Sequence, residues 1–305
     1  MTPLISTKVV KFLPIIVSCL FLGGCGEDEK TELYNTVNQN QSNNSSTSSN
    51  EDNKNTSGEF IHGKNKTFTV NGVSFTMIAV QGGSFRMGGT AEQTLYALDN
   101  EYPIHNVSVS NFYIGETEVT QELWKAVAGN RVFWGENQFP ADRVYWEDCQ
   151  TFIAKLNELT GENFRMPTEA EWEYAARGGI KAQGLIYSGS NYVDAVAWYY
   201  DNAPAFRVVF ENGGYYDYDR WCTRVKTKAP NELGIYDMSG NVWEYCSDWY
   251  GTYPSEDQVN PKGPISGDGH VARGGSFSQG SNDCRVSRRI RRNSSFGDNG
   301  LRLAL

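Results

Sequence analysis

The segment that most constrains this chain runs from Gly178 to the C terminus. It is crowded with Gly, Asn, Asp and Tyr and shows little helical or strand periodicity. Such a segment has no regular amphipathic face to bury. It is expected to form short strands and ordered loops held by aromatic packing. The aromatic supply is ample: 8 Trp, 17 Tyr and 15 Phe in 305 residues, with every Trp at or after Trp124. An apolar share of 39% supports a sizeable core and excludes wholesale disorder. The formal charge of −9 argues against a nucleic-acid partner, which calls for a basic footprint. His62, His105 and His270 are too scattered for a multi-histidine metal centre. No apolar run reaches the roughly 18 residues of a membrane-spanning helix.

Ahead of that segment the periodicities are legible. Residues 66–81 alternate apolar and polar around Asn71-Gly72, which predicts a hairpin with a tight turn. Gly82, Gly83 and Gly88 are read as turn and close-packing glycines, because no helix-forming segment follows them directly. Three helices are predicted. The first follows Thr120 and puts Leu123, Trp124 and Val127 on one face. The second runs from about Glu147 to Leu159, with Cys149, Phe152, Ile153 and Leu156 at i, i+3, i+4, i+7 and Gly161 as its stop. The third starts at a capping box, Thr168 three residues before Glu171, and ends at Gly178. Few helices set in glycine-rich irregular chain indicate a mixed α+β domain.

The first residues read as an address. Lys8 and Lys11 precede an apolar stretch, Phe12 to Gly24, which is the pattern of a secretory signal. Leu22-Gly23-Gly24-Cys25 resembles a bacterial lipobox, so residues 1–24 are expected to be a lipoprotein signal peptide and Cys25 the lipidated residue. The acidic run Glu27-Asp28-Glu29 resembles a surface-export signal, or is simply a solvated charge run. From Asn38 to Ser57, seventeen of twenty residues are Asn, Gln, Ser or Thr. That composition cannot offset chain entropy by burial, so residues 25–60 are expected to be a flexible tether. The expected location is the cell envelope, with a lipid anchor in the outer membrane.

Several segments together are similar to the formylglycine-generating enzyme family, the sulfatase-modifying factors. They include Phe85-Arg86-Met87-Gly88, Glu101-Tyr102-Pro103-Ile104-His105-Asn106-Val107, and Phe112-Tyr113-Ile114-Gly115-Glu116-Thr117-Glu118-Val119-Thr120. Arg165-Met166-Pro167-Thr168-Glu169-Ala170-Glu171-Trp172-Glu173-Tyr174 follows, then Gly234-Ile235-Tyr236-Asp237-Met238-Ser239-Gly240-Asn241-Val242-Trp243-Glu244. Arg273-Gly274-Gly275-Ser276-Phe277 and the closing Gly300-Leu301-Arg302 complete the set. The resemblance implies one compact domain over residues 61–305, low in regular secondary structure and related to C-type lectin folds.

Active members of that family oxidise a sulfatase cysteine to formylglycine with oxygen and copper held by two cysteines. A pair of thiolates suits copper(I). Aligning this chain on that motif puts Gln279 at the first cysteine and Cys284 at the second. An amide is a poor ligand for a soft metal, so copper binding is not expected. Any residual catalysis falls to Cys284 and Ser276. The resemblance also implies a calcium site at Asp237, Gly240, Val242 and Glu244, where two carboxylates and two carbonyls would suit a hard cation. Cys246 and Cys284 lie in motif segments expected to pack together, and are either a disulfide or two unpaired thiols.

Residues 273–302 carry seven arginines against Asp283 and Asp298. A local excess of that kind can bind an anionic ligand, and Arg285, Arg288 and Arg289 are the candidates. The alternative is pairing with carboxylates of the other motifs, which is the expectation for Arg273 and Arg302. The sequence thus supports a lipid-anchored, non-catalytic binding or assembly protein with a protein, peptide or glycan ligand. A formylglycine-generating oxidase is the enzymatic alternative. A surface receptor diversified over Ser278 to Asn293 is another.

Overall fold

The computed structural model describes residues 63–129, 133–210, 213–293 and 297–305. The expectations for the signal peptide, the tether and lipidation at Cys25 lie outside these residues. The hairpin forms where the alternation predicted it: β1 (Lys66–Val70) pairs antiparallel with β2 (Val73–Val80). Asn71 and Gly72 both turn through positive φ, 48° and 84°, the primed geometry that matches strand twist. β3 (Gly83–Met87), β4 (His105–Val109) and β5 (Phe112–Gly115) follow. β5 completes the first sheet in the order β1-β2-β5, while β3 and β4 form a second sheet.

The three predicted helices are α1 (Gln121–Ala128), α2 (Trp146–Thr160) and α3 (Glu169–Ala176). Thr120 caps α1 by accepting from Leu123 N at 3.2 Å. Gly161 ends α2 in the left-handed region at φ 72°. The capping box of α3 is reciprocal: Thr168 Oγ1 accepts from Glu171 N, and Glu171 Oε2 accepts from Thr168 N. A four-residue α4 (Val193–Val196) was not predicted, being too short to carry a period.

The remaining strands are short, as the composition requires. β6 (Phe206–Val209) and β7 (Tyr215–Tyr218) form an isolated hairpin. β8 (Trp243–Trp249), β10 (His270–Arg273), β11 (Arg289–Arg292) and β12 (Asn299–Gly300) form a four-stranded sheet in the order β11-β10-β8-β12. β9 (Gln258–Val259) adds a parallel edge to β4. The last residues lace the domain shut: Tyr113 N donates to Leu305 O, Gly115 N to Leu303 O and Arg165 N to Ala304 O.

Alternation along β2 divides the core. Met77 packs with Leu123, Trp124, Phe152 and Leu156 of α1 and α2, whereas Ile78 and Val80 pack with Trp172 of α3 and with Cys246 and Val271. Two smaller clusters, around Trp221 and Phe277 and around Tyr187 and Cys284, fill the irregular half. All described residues belong to one compact unit of mixed α/β structure with small helical content. Among them, no helix is long and apolar enough to cross a membrane.

Candidate functional site

The strand β10 ends at Arg273, and Gly274 and Gly275 follow, both at positive φ. Ser276 is buried and donates to Asp298 Oδ2 at 2.7 Å, and Ser278 donates to the same oxygen at 2.6 Å. Arg292 Nη2 lies 3.2 Å from Asp298 Oδ1. Gln279 is half-buried; its carbonyl accepts from Tyr200 N and its Nε2 donates to Ser278 Oγ at 3.2 Å. Ser278, Gln279, Arg292 and Asp298, together with Trp221 and Phe277, line an open hollow of about 290 Å³.

Cys284 does not reach that hollow's lining. It closes a short 3₁₀ turn, Ser281–Cys284, and packs fully buried among Tyr187, Val196, Ala197 and Tyr199. Burial, reinforced by Asp283, pushes its thiol far above the ordinary range. A thiolate is the nucleophile and the metal ligand, so this sulfur is held in the inert form. Ser276 has its hydroxyl committed to Asp298. The expected disulfide is corrected: Cys246 and Cys284 are free thiols. The reason is partition of the core, since Cys246 on β8 packs in the cluster of Ile78 and Trp172 while Cys284 packs in the Tyr187 cluster. Cys149 and Cys222 are fully buried too.

The predicted calcium segment is a tightly wound turn leading into β8. Asp237, Gly240 and Asn241 take φ of 58°, 80° and 61°. Gly240 is demanded twice, because a Cβ there would lie 2.3 Å from Trp198 O. Asp237 Oδ2 accepts from Lys226 N, and Glu244 is gripped by Arg302 Nε and Nη2 at 2.9 and 2.7 Å and by Trp172 Nε1. A third carboxylate, Glu118, accepts from Asn241 Nδ2 and Val242 N. Sequence reading missed Glu118; its place one residue before Val119-Thr120 gave no sign of its tertiary neighbours. Burial first, then Asp237 and Glu244, push Glu118 well above the carboxylate range, and burial raises Asp237 to about 6. Three buried carboxyl groups gather around one guanidinium, and their oxygen donors suit a hard cation. Among the described residues no three His, Cys, Asp or Glu side chains are placed to hold a metal together. A cation here therefore depends on backbone carbonyls as well.

The arginines part company with the anion-binding expectation. Arg285 is buried and makes a two-pronged pair with Glu101 at 2.9 and 2.6 Å. Hydrogen bonds from Arg285 and Ser287 hold Glu101 below its ordinary pKa although burial opposes them. Arg289 is buried against Glu169 at 2.7 and 2.8 Å and lies over the Tyr253 ring. Both are internal fasteners, and neither presents its charge to a ligand. Arg288 is half-buried and pairs with Asp283 at 2.8 Å. Arg273 pairs with Glu173, as expected of a motif arginine.

Comparison with known proteins matches the Sulfatase-modifying factor enzyme 1-like domain over residues 63–305. Chaperone protein LppX of Paenibacillus barcinonensis is 38% identical over 215 residues, covering 58% of this chain and 73% of that one. The formylglycine-generating enzyme of Mus musculus is 36% identical over 139 residues, 45% of this chain and 35% of the enzyme. The chain thus spans about a third of the mouse enzyme's length. Among solved structures, Treponema denticola variable protein 1 superposes with a TM-score of 0.64 at 31% identity, covering 79% of this chain and 98% of that one.

Proposed function

Since this chain belongs to the Sulfatase-modifying factor enzyme 1-like family, we propose that it is a non-catalytic binding or assembly member of it, lipid-anchored through Cys25 at the cell envelope. One observation carries the non-catalytic reading. Where active relatives need two thiolates, this chain offers the Gln279 amide and a Cys284 thiol sealed in the core. The donor set does not fit copper(I). The hollow beside Gln279 remains as a site for a ligand, with aromatic walls and a few convergent polar groups. The similarity to a protein named a chaperone agrees with a binding role.

The full chain supplied with copper(I) and oxygen is expected to leave a Cys-x-Pro-x-Arg peptide unoxidised and to bind copper(I) weakly. Aldehyde formation by the unmutated protein, read by mass spectrometry, overturns the proposal. Calcium is proposed at Asp237 and Glu244 with carbonyls of Gly240 and Val242; when bound it supplies positive charge to the buried carboxylates and orders their turn. Added calcium is then expected to raise the melting temperature and a chelator to reverse it, by ligand linkage. A melting temperature indifferent to both rules the site out. A diversified receptor is the second reading, favoured by the likeness to Treponema denticola variable protein 1. Within residues 278–293, Cys284, Arg285 and Arg289 are core residues, so diversity would be confined to positions such as Gln279 and Asn293.

A further inference from the structure

Arg292 lines two hollows. One is the hollow of Gln279 already described. The other, of about 260 Å³, is walled by Tyr145, Trp249, Glu147, Asp268 and Asn293. His270 belongs to it and is sandwiched between Trp146 and Trp249, with ring centroids 3.7 and 3.8 Å away. Nothing in the family site accounts for this second hollow.

Two features say what the pair of hollows suits. Each is lined by a residue whose buried ring nitrogen has no hydrogen-bond partner among the described residues, Trp221 Nε1 for one and His270 Nδ1 for the other. The two residues are 4% and 6% exposed. Buried polar atoms are ordinarily satisfied, so orphans at a hollow mark a place for ligand hydrogen bonds. The charges also come within one carboxylate of balance. In the first hollow Arg292 meets Asp298, and in the second Asp268 is paired with Arg291 beside the single carboxylate of Glu147. A strongly anionic or cationic ligand would find no uncompensated cluster of opposite sign. Aromatic faces beside amide and carboxylate side chains suit a molecule with apolar C–H faces and a hydroxyl edge. A hydroxyl both donates and accepts, which an indole N–H and an imidazole nitrogen together require.

We propose that the two hollows sharing Arg292 form one groove that binds a neutral oligosaccharide, with one sugar against Trp221 and Phe277 and another against Tyr145 and Trp249. This rests on the binding reading above and names its ligand class.

The test is calorimetric titration of the full chain with neutral tetrasaccharides built from glucose, mannose or N-acetylglucosamine, and with the matching monosaccharides. At least one tetramer is expected to bind, at least tenfold tighter than its monomer. Tyr145→Ala, Glu147→Gln and Gln279→Ala, all at exposed or half-buried positions, should each weaken it severalfold while leaving the melting temperature within about 2 °C. Loss on Gln279→Ala with no change on Tyr145→Ala and Glu147→Gln overturns the second subsite and leaves the first hollow as the binding site. No binding by any tetramer overturns the oligosaccharide assignment. Aldehyde production, by contrast, strikes only the non-catalytic reading.

Discussion

Replacing Arg302 with methionine is expected to destabilise the domain by about 3–5 kcal/mol, the range for breaking a buried ion pair by removing one partner. Arg302 is fully buried and donates to Glu244 twice, to Gly115 O and to Tyr236 O. Methionine keeps much of the stem's packing and removes all four bonds. Glu244 is then left as a buried carboxylate in the company of Glu118 and Asp237, with their common guanidinium gone. For a domain of this size about 1 kcal/mol moves the melting temperature by about 2–4 °C, so a fall of about 10 °C is expected. The double variant Arg302→Met with Glu244→Gln should lose less than the two single losses added, because the stranded charge is gone. An Arg302→Met domain that melts within 2 °C of the parent sinks this account.

The second large effect is on pH dependence. Asp248 is buried on β8, and burial, followed by the nearby Glu169 carboxylate, raises it to about 7. Its Oδ2 accepts from Glu169 N and Ser247 Oγ. Glu169 is itself held low, against its own burial, by Arg289 and Arg273. The His270 ring interacts with the backbone of Asp248 and Ser247 rather than with the Asp248 carboxyl, and burial keeps that imidazole below its ordinary pKa. The native state thus holds a proton on Asp248 that the unfolded chain gives up near pH 4. Between about pH 4 and pH 7 the folded form binds more protons, so the contribution of Asp248 to stability falls as pH rises. The loss is complete above pH 7 and amounts to about 4 kcal/mol at most. Asp248→Asn preserves an acceptor for Glu169 N and removes the titration. It is expected to stabilise the protein at pH 8, to do little at pH 4, and to flatten the slope between. Equal effects of Asp248→Asn at the two pH values refute the assignment. Glu101 and Glu169, with lowered pKa values, act oppositely and cost stability only at lower pH.

Much of the fold was legible because it is written in short-range signals. Asn71-Gly72 marks the hairpin turn, Thr168 and Glu171 mark the start of α3, and Cys149, Phe152, Ile153 and Leu156 mark the buried face of α2. The motif order brought the remaining chain to the right family. The arginine excess misled for the opposite reason. Counted along residues 273–302 it is a basic patch. In space Arg285 meets Glu101, Arg289 meets Glu169 and Arg302 meets Glu244, partners 58 to 184 residues away. Net charge in a sequence window says nothing about where the counter-charges fold.

The sequence by itself determined that Gln279 stands where a soft-metal ligand is needed, because the identity of a donor atom does not depend on conformation. It also determined the turns and caps, whose chemistry is local. Only the tertiary structure decided that Cys246 and Cys284 stay apart as free thiols, and that Cys284 is sealed in an apolar cluster. It alone gathered Glu118, Asp237 and Glu244 around Arg302, and set Trp146 and Trp249 on either face of His270. These are properties of long-range packing, in which residues far apart in the chain share one low-dielectric site and alter each other's charge, access and reactivity.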